Sequence, residues 1–270
     1  MASSFVRSIS FPMTPGRSSS KPRHIRSVSL PACTTTSCHP LLADLKAHIA
    51  TVRSSTSSSL AANLTQIHAL YSSIADLLLL PELQKALCGG VAAERLLEAF
   101  LLLVDAHQGF QESLDELKHA VTESSAAVRR GDAARAASAS RSQRRAEKEL
   151  VRLAASVSAV SSMCGRLNIA DTEDAEMARA LIEAAAASAA ASSTVFSAAA
   201  SMSSASSSKK VTSSFGSFGK KPTPETAELA LQRLCGLEMC FDECDGICHQ
   251  VFRSIVQTRV SLLNILSATI

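Results

Sequence analysis

The residues most capable of chemistry lie together near the carboxyl end: Cys235, Cys240, Cys244, Cys248 and His249. Zinc ligands usually come in C-x2-4-C pairs on a turn, so that four of them converge tetrahedrally. Here three cysteines recur every fourth residue of a predicted helix, so their Cβ atoms form a row and at most two neighbours can share one ion. Core packing of small apolar thiols is therefore favoured over metal or redox chemistry, and no metal site or cofactor is predicted.

The remaining chemistry-bearing residues form no recognisable catalytic arrangement. The seven histidines are dispersed, none belongs to an H-x-x-x-H pair, and no serine stands in a G-x-S-x-G motif. No pair of carboxylates stands out from ordinary charge on helix surfaces. The sequence therefore predicts a non-enzymatic protein.

The most specific short motif lies in the first 31 residues and occurs twice. The sequence RSISFP begins at Arg7, and RSVSLP begins at Arg26, nineteen residues later. Both match R-S-x-S-x-P, the pattern that 14-3-3 proteins bind when the second serine is phosphorylated. The candidate phosphosites and flanking motif residues are Ser10, Ser29, Arg7, Pro12, Arg26 and Pro31.

The same tail allows other interpretations. Chains rich in serine and arginine produce such matches by chance. The first 43 residues contain no Asp or Glu but five Arg or Lys, a composition that is also typical of an organelle transit peptide or of a weak contact with anionic lipid. The predicted location is cytoplasmic, with a nuclear or membrane-peripheral site and organelle import left open.

A second basic stretch runs from residue 129 to residue 152. It could contact the phosphates of nucleic acid or of anionic lipid. No aromatic residue interleaves with it, and Glu147 and Glu149 dilute its charge, so a solvated helix face is favoured. The overall charge of +3 is small, and no nucleic-acid partner is expected.

The elements that would position these residues are all helical. Trp is absent, Tyr occurs once, and Ala, Ser and Leu dominate, which predicts an all-α bundle of about five or six helices, several of them long. Residues 1–39 are predicted to be a disordered tail, residues 40–270 a bundle domain, and about 203–222 a flexible loop. No stretch is predicted to be apolar enough to span a bilayer, and the closest, from 181 to 200, is rich in Ala and Ser, which favours an arm of a helical hairpin.

The strongest helical signal begins at Pro224 and runs to about Leu266. Its apolar positions alternate in steps of three and four residues over nearly five heptads, and we call them the seam. Ile247, Val256 and Leu263 widen this face, which suits a bundle better than a two-stranded coiled coil. The seam consists of Leu234, Leu237, Phe241, Cys244, Cys248, Val251, Ile255, Thr258, Leu262 and Ile265.

Four segments together resemble a plant-specific family of all-helical proteins related to BYPASS. They are the RSISFP start, the segments 80–87 and 96–105, and the C-terminal sequence TRVSLLNIL from Thr258 to Leu266. The resemblance implies a role in plant development, since the namesake is connected to root and shoot growth through a root-derived mobile signal. It supplies no catalytic or binding residues. The leading hypothesis is a regulatory or adaptor protein that acts by protein–protein contact, and the alternative is a peripheral membrane or organelle-associated protein.

Overall fold

A computed structural model describes residues 39–55, 59–88, 91–166, 173–206 and 224–267. In these ranges the chain forms seven α-helices and no strand, which confirms the all-α prediction. This is one helix more than the largest predicted number, and the shortest of the seven spans Pro81–Leu87. Residues 1–38 of the predicted tail and most of the predicted loop lie outside the described residues. The helices are α1 (Pro40–Ser54), α2 (Leu60–Leu78), α3 (Pro81–Leu87), α4 (Val91–Arg130), α5 (Ala133–Cys164), α6 (Glu173–Ser206) and α7 (Pro224–Ser267).

Four long helices and α2 enclose the core. α4 lies between α5 and α7, α6 packs on the far side of α5, and α2 closes the ring between α6 and α7. α1 covers the α2–α6 junction, where its Lys46 and Arg53 pair with Glu176 and Glu183 of α6. The inner faces of α2 and α4 are fully buried, because their apolar residues recur every three or four positions.

The turn between α4 and α5 is specified by two residues. Gly131 adopts a φ of 68°, the left-handed conformation that glycine reaches without steric cost. The Asp132 amide donates to the Ala127 carbonyl, while the Asp132 side chain accepts from the Arg135 amide at 3.0 Å. Gly131 therefore ends α4 and Asp132 begins α5, which folds the two helices back on each other.

The antiparallel hairpin of α4 and α5 packs closely at one glycine. A Cβ atom added to Gly109 would lie 3.2 Å from the two Cδ atoms of Leu153. That distance is shorter than ordinary van der Waals contact, so glycine at this position lets α5 approach α4.

α4 and α7 are also antiparallel. Thr122 of α4 donates to Glu238 of α7 at 2.8 Å, and Lys118 pairs with Asp242 at 3.0 Å.

The predicted loop from about 203 starts too early. α6 continues through Ser206, and Ser203 is fully buried. Gln143 of α5 donates to the Ser203 carbonyl at 3.0 Å and to its hydroxyl at 2.9 Å, while the Ser203 hydroxyl donates to Glu147 at 2.7 Å. These contacts with α5 supply partners for the polar end of α6, and serine content alone does not reveal them.

α6 also corrects the prediction that no segment is apolar enough to cross a membrane. Within the described ranges, one stretch, Glu176–Ser206, meets that requirement by length and composition. In the bundle 61% of its apolar window is buried, and α6 forms a hairpin with α5. Burial against neighbouring helices accounts for its apolar composition, as it does for core helices in general.

Candidate functional site

The duplicated tail motif lies outside the described residues. This applies to both candidate phosphosites, Ser10 and Ser29, and to the flanking Arg7, Pro12, Arg26 and Pro31. The phosphorylation and 14-3-3 hypotheses therefore stay predictions.

The seam of α7 is a core element. Its ten residues are at most 9% exposed, and α7 packs with them against α2 and α4. Thr258 fits this apolar row because its hydroxyl donates to the Ser254 carbonyl at 2.9 Å. The buried face is narrower than predicted: Ile247 and Val256 are half-buried, but Leu263 is 39% exposed.

The cysteines of α7 divide between the core and its edge. Cys244 and Cys248 are buried, Cys240 is half-buried and Cys235 is exposed. Burial raises the pKa of the Cys244 thiol to about 12, and it also raises the pKa values of Cys240 and Cys248. A protonated thiol is a poor nucleophile and a poor metal ligand, which agrees with a packing role for these residues.

The neighbouring histidine does not complete a metal site. The His249 ring is exposed, and its Nδ1 lies 2.9 Å from the Asp245 carbonyl of the preceding turn, whereas Cys248 faces the core. Among the described residues, no group of three or more His, Cys, Asp or Glu side chains could hold a metal ion.

Two polar contacts inside the core could not be predicted from the sequence. His107 Nε2 lies 2.9 Å from the Ser192 hydroxyl, and the Tyr71 hydroxyl lies 3.1 Å from that of Ser188. Burial lowers the pKa of His107 to about 3, so its ring is neutral near pH 7, and burial raises the pKa of Tyr71. Because Ser188 and Ser192 lie one turn apart on α6, they fix this helix against α2 and α4. The one sequence signal for them is their spacing of four residues in an alanine-rich helix.

Exposed apolar side chains of α4 and α7 lie at the same level of the bundle. Leu101 is 40% exposed, Val260 is 47% exposed and Leu263 is 39% exposed. The antiparallel register of the two helices brings Leu101 level with Val260, and we call these three residues the apolar strip. Exposed apolar side chains of this kind can take part in contacts with other proteins.

The cations of the basic stretch are exposed along α5, which both a solvated face and a surface that binds phosphates require. Its five cations between Arg141 and Arg152 are all exposed. The two glutamates expected to dilute them differ in surroundings: Glu149 pairs with Arg152, and Glu147 accepts from Ser203 of α6.

The fold and these surfaces define an all-helical bundle in which the apolar seam of α7 packs against α2 and α4. The chain belongs to the BPS1 family: the family model described as Protein BPS1 matches residues 63–265, from α2 to the last seam residue. The match spans three quarters of the chain and confirms the resemblance to the BYPASS-related plant family. Membership indicates a protein related to plant development. No curated protein and no solved structure matches the chain.

Proposed function

We propose that this protein is a non-enzymatic adaptor in plant development, whose N-terminal tail is switched by phosphorylation. The observation that carries the proposal is the duplication of R-S-x-S-x-P around Ser10 and Ser29 within 31 residues. The helical bundle would then present other protein partners with surfaces such as the apolar strip.

The chemistry of the motif explains how phosphorylation would switch binding of a partner on and off. Arginine three residues before the serine favours a basophilic kinase, and the phosphate adds roughly two negative charges that an arginine cluster can hold. Proline two residues after the serine directs the chain out of the binding groove. Without phosphate, the tail carries only positive charge and offers nothing to such a cluster.

The spacing of the two serines suits a dimeric partner. A flexible linker of nineteen residues has a root-mean-square span of about 24 Å and can extend further. Two phosphoserines on one tail can therefore occupy both grooves of a 14-3-3 dimer. Binding of the second site is then intramolecular, which raises the overall affinity.

The first prediction concerns capture of 14-3-3 from plant extract. Wild-type protein is expected to retain it, and phosphatase treatment or the Ser10→Ala/Ser29→Ala variant is expected to abolish retention, because both remove the phosphate. The matched control is Ser18→Ala/Ser19→Ala, which changes two serines of the same tail that lie between the motifs and should leave capture intact. Equal recovery in every sample would refute the proposal.

A second candidate function rests on the absence of acidic residues from the first 43 positions. Such a segment could act as a transit peptide or as a lipid contact of a peripheral membrane protein. N-terminal sequencing of the protein from plant tissue separates these two versions, because a mature start near residue 40 indicates a cleaved transit peptide. Sedimentation with vesicles, with and without anionic lipid, tests the lipid contact.

A further inference from the structure

The outer side of α5 carries an unbroken row of cations. We define the basic face as Arg141, Arg144, Arg145, Lys148 and Arg152, which are all exposed. Their spacings of three, four, seven and eleven residues from the first place them on one side of the helix. They extend along about 16 Å of the helix axis, at 1.5 Å per residue.

The segment 141–152 keeps a net positive charge, because its five cations outnumber its two acids, Glu147 and Glu149. Arg152 binds Glu149 through its guanidinium, with Nε–Oε2 at 2.9 Å. The other four members of the basic face form no ion pair within the described part of the chain, and Arg144 Nε instead donates to the Ser140 carbonyl at 3.1 Å. Solvated cations that the fold leaves unpaired are available to an anionic partner.

Three further cations lie at the turn that joins α4 to α5, close to the basic face. Arg129 and Arg130 end α4, Arg135 lies in the first turn of α5, and all three are exposed. Asp132, the acid between them, caps α5 through the Arg135 amide. The positive charge therefore continues from the basic face to the tip of the hairpin.

We propose that the basic face is a docking surface for a membrane that contains anionic phospholipid. α5 packs between α4 and α6, so its cations occupy the middle of a layer of three helices. Such a layer is broad, since neighbouring helix axes lie 8–10 Å apart. The row of cations along the middle of this layer can lie along a bilayer surface, where each Lys or Arg gains attraction from the anionic headgroups.

The same geometry disfavours a nucleic acid as the occupant. A recognition helix must enter the major groove, which is about 12 Å wide, and the flanking helices α4 and α6 obstruct such entry. Single strands bind through aromatic stacking, and the sequence contains no aromatic residue between Phe110 and Phe196. Val151, which is 57% exposed beside Lys148 and Arg152, adds an apolar contact that suits a lipid surface.

The test is flotation of the full-length chain with lipid vesicles. Wild-type protein is expected to bind vesicles of phosphatidylcholine with about one third phosphatidylserine, and not phosphatidylcholine alone. Raising the salt from about 0.1 M to about 1 M should release it, because the Debye length falls from about 10 Å to about 3 Å. The variant Arg141→Gln/Arg144→Gln/Arg145→Gln/Lys148→Gln should bind at least roughly 100-fold more weakly, since each cation contributes about fivefold.

The matched control removes four cations from the tail instead: Arg7→Gln/Arg17→Gln/Arg23→Gln/Arg26→Gln. Its binding should stay within a few-fold of wild type. A conservative variant, Arg141→Lys/Arg144→Lys/Arg145→Lys, keeps the charge and should bind like wild type. It also guards against misfolding as the cause of a loss, together with the circular dichroism of each variant.

Several results would overturn the inference. One is wild-type protein that binds no better to vesicles with phosphatidylserine than to vesicles without it. Another is an α5 glutamine variant that binds like wild type, and a third is an equal loss of binding in the α5 variant and the tail variant. Tighter binding of wild type to duplex DNA than to anionic vesicles at equal salt would also overturn it. None of these results bears on 14-3-3 capture, which depends on Ser10 and Ser29.

Discussion

Ile255→Asp is expected to lower the free energy of unfolding by about 4 kcal/mol or more. Ile255 lies on the seam of α7 with no exposed surface, in a helix that packs against α2 and α4. A carboxylate there would be buried without a partner or would force the helices apart. For a chain of this size the melting temperature should fall by roughly 10 °C, measured by circular dichroism.

A matched variant on the same helix separates burial from the mere addition of charge. Val260→Asp adds the same carboxylate at a position that is 47% exposed, and it should change the free energy of unfolding by no more than about 0.5 kcal/mol. Leu262→Asp, which is fully buried, should behave like Ile255→Asp. Unchanged melting of both buried variants would mean that α7 is a partner surface and not part of the core.

Mild acid is expected to destabilise the bundle through His107. Its pKa is about 3 in the folded protein, against an ordinary value of 6.5. Below pH 6.5 the unfolded chain therefore binds a proton at His107 that the folded chain does not bind. The stability that comes from keeping His107 neutral is fully present above pH 6.5 and is lost as the pH falls towards 3. Between pH 7 and pH 4.5 the loss from this group is about 2–3 kcal/mol.

Comparison with His107→Gln isolates this contribution from the titration of carboxylates. Glutamine stays neutral and can still bond to the Ser192 hydroxyl, so the variant should lose about 2–3 kcal/mol less than wild type over the same pH interval. Chemical denaturation at each pH gives the free energy of unfolding of both proteins, and hence how steeply each depends on pH. Parallel pH profiles would show that His107 is protonated in the fold or exposed to water.

Much of the fold follows from apolar periodicity. The seam predicts α7 because its apolar residues recur in steps of three and four without interruption. Pro224 and Glu225 predict the start of this helix, and the structure begins it at Pro224. Gly131 and Asp132 likewise divide α4 from α5, because a positive φ and an N-cap are local requirements. Local chemistry and long regular stripes therefore predict where these helices begin and end.

Features that depend on the neighbouring helix could not be predicted in the same way. Serine-rich sequence suggested a loop from about 203, yet Ser203 is buried because Gln143 and Glu147 of α5 bond to it. His107 looked dispersed, and only the packing of α4 against α6 brings it to Ser192. Leu263 was assigned to the buried face but lies where that face meets solvent.

The cysteines show how a side chain's environment decides its chemistry. Spacing alone allowed two neighbouring thiols to share an ion. The structure buries Cys244 and Cys248 on the seam, and that burial raises the pKa values of both thiols. The basic stretch illustrates the opposite case, because α5 leaves its cations in solvent and most of them unpaired within the described residues.

The central claim of a phosphorylation-switched adaptor is tested most directly by one affinity measurement. Full-length chain carrying phosphoserine at residue 10, at residue 29 or at both is titrated against a 14-3-3 dimer by calorimetry. We predict that the doubly phosphorylated chain binds at least about 100-fold more tightly than either singly phosphorylated chain, because the second contact is intramolecular. Equal affinities of the three chains, or no binding by the doubly phosphorylated chain, would contradict the account.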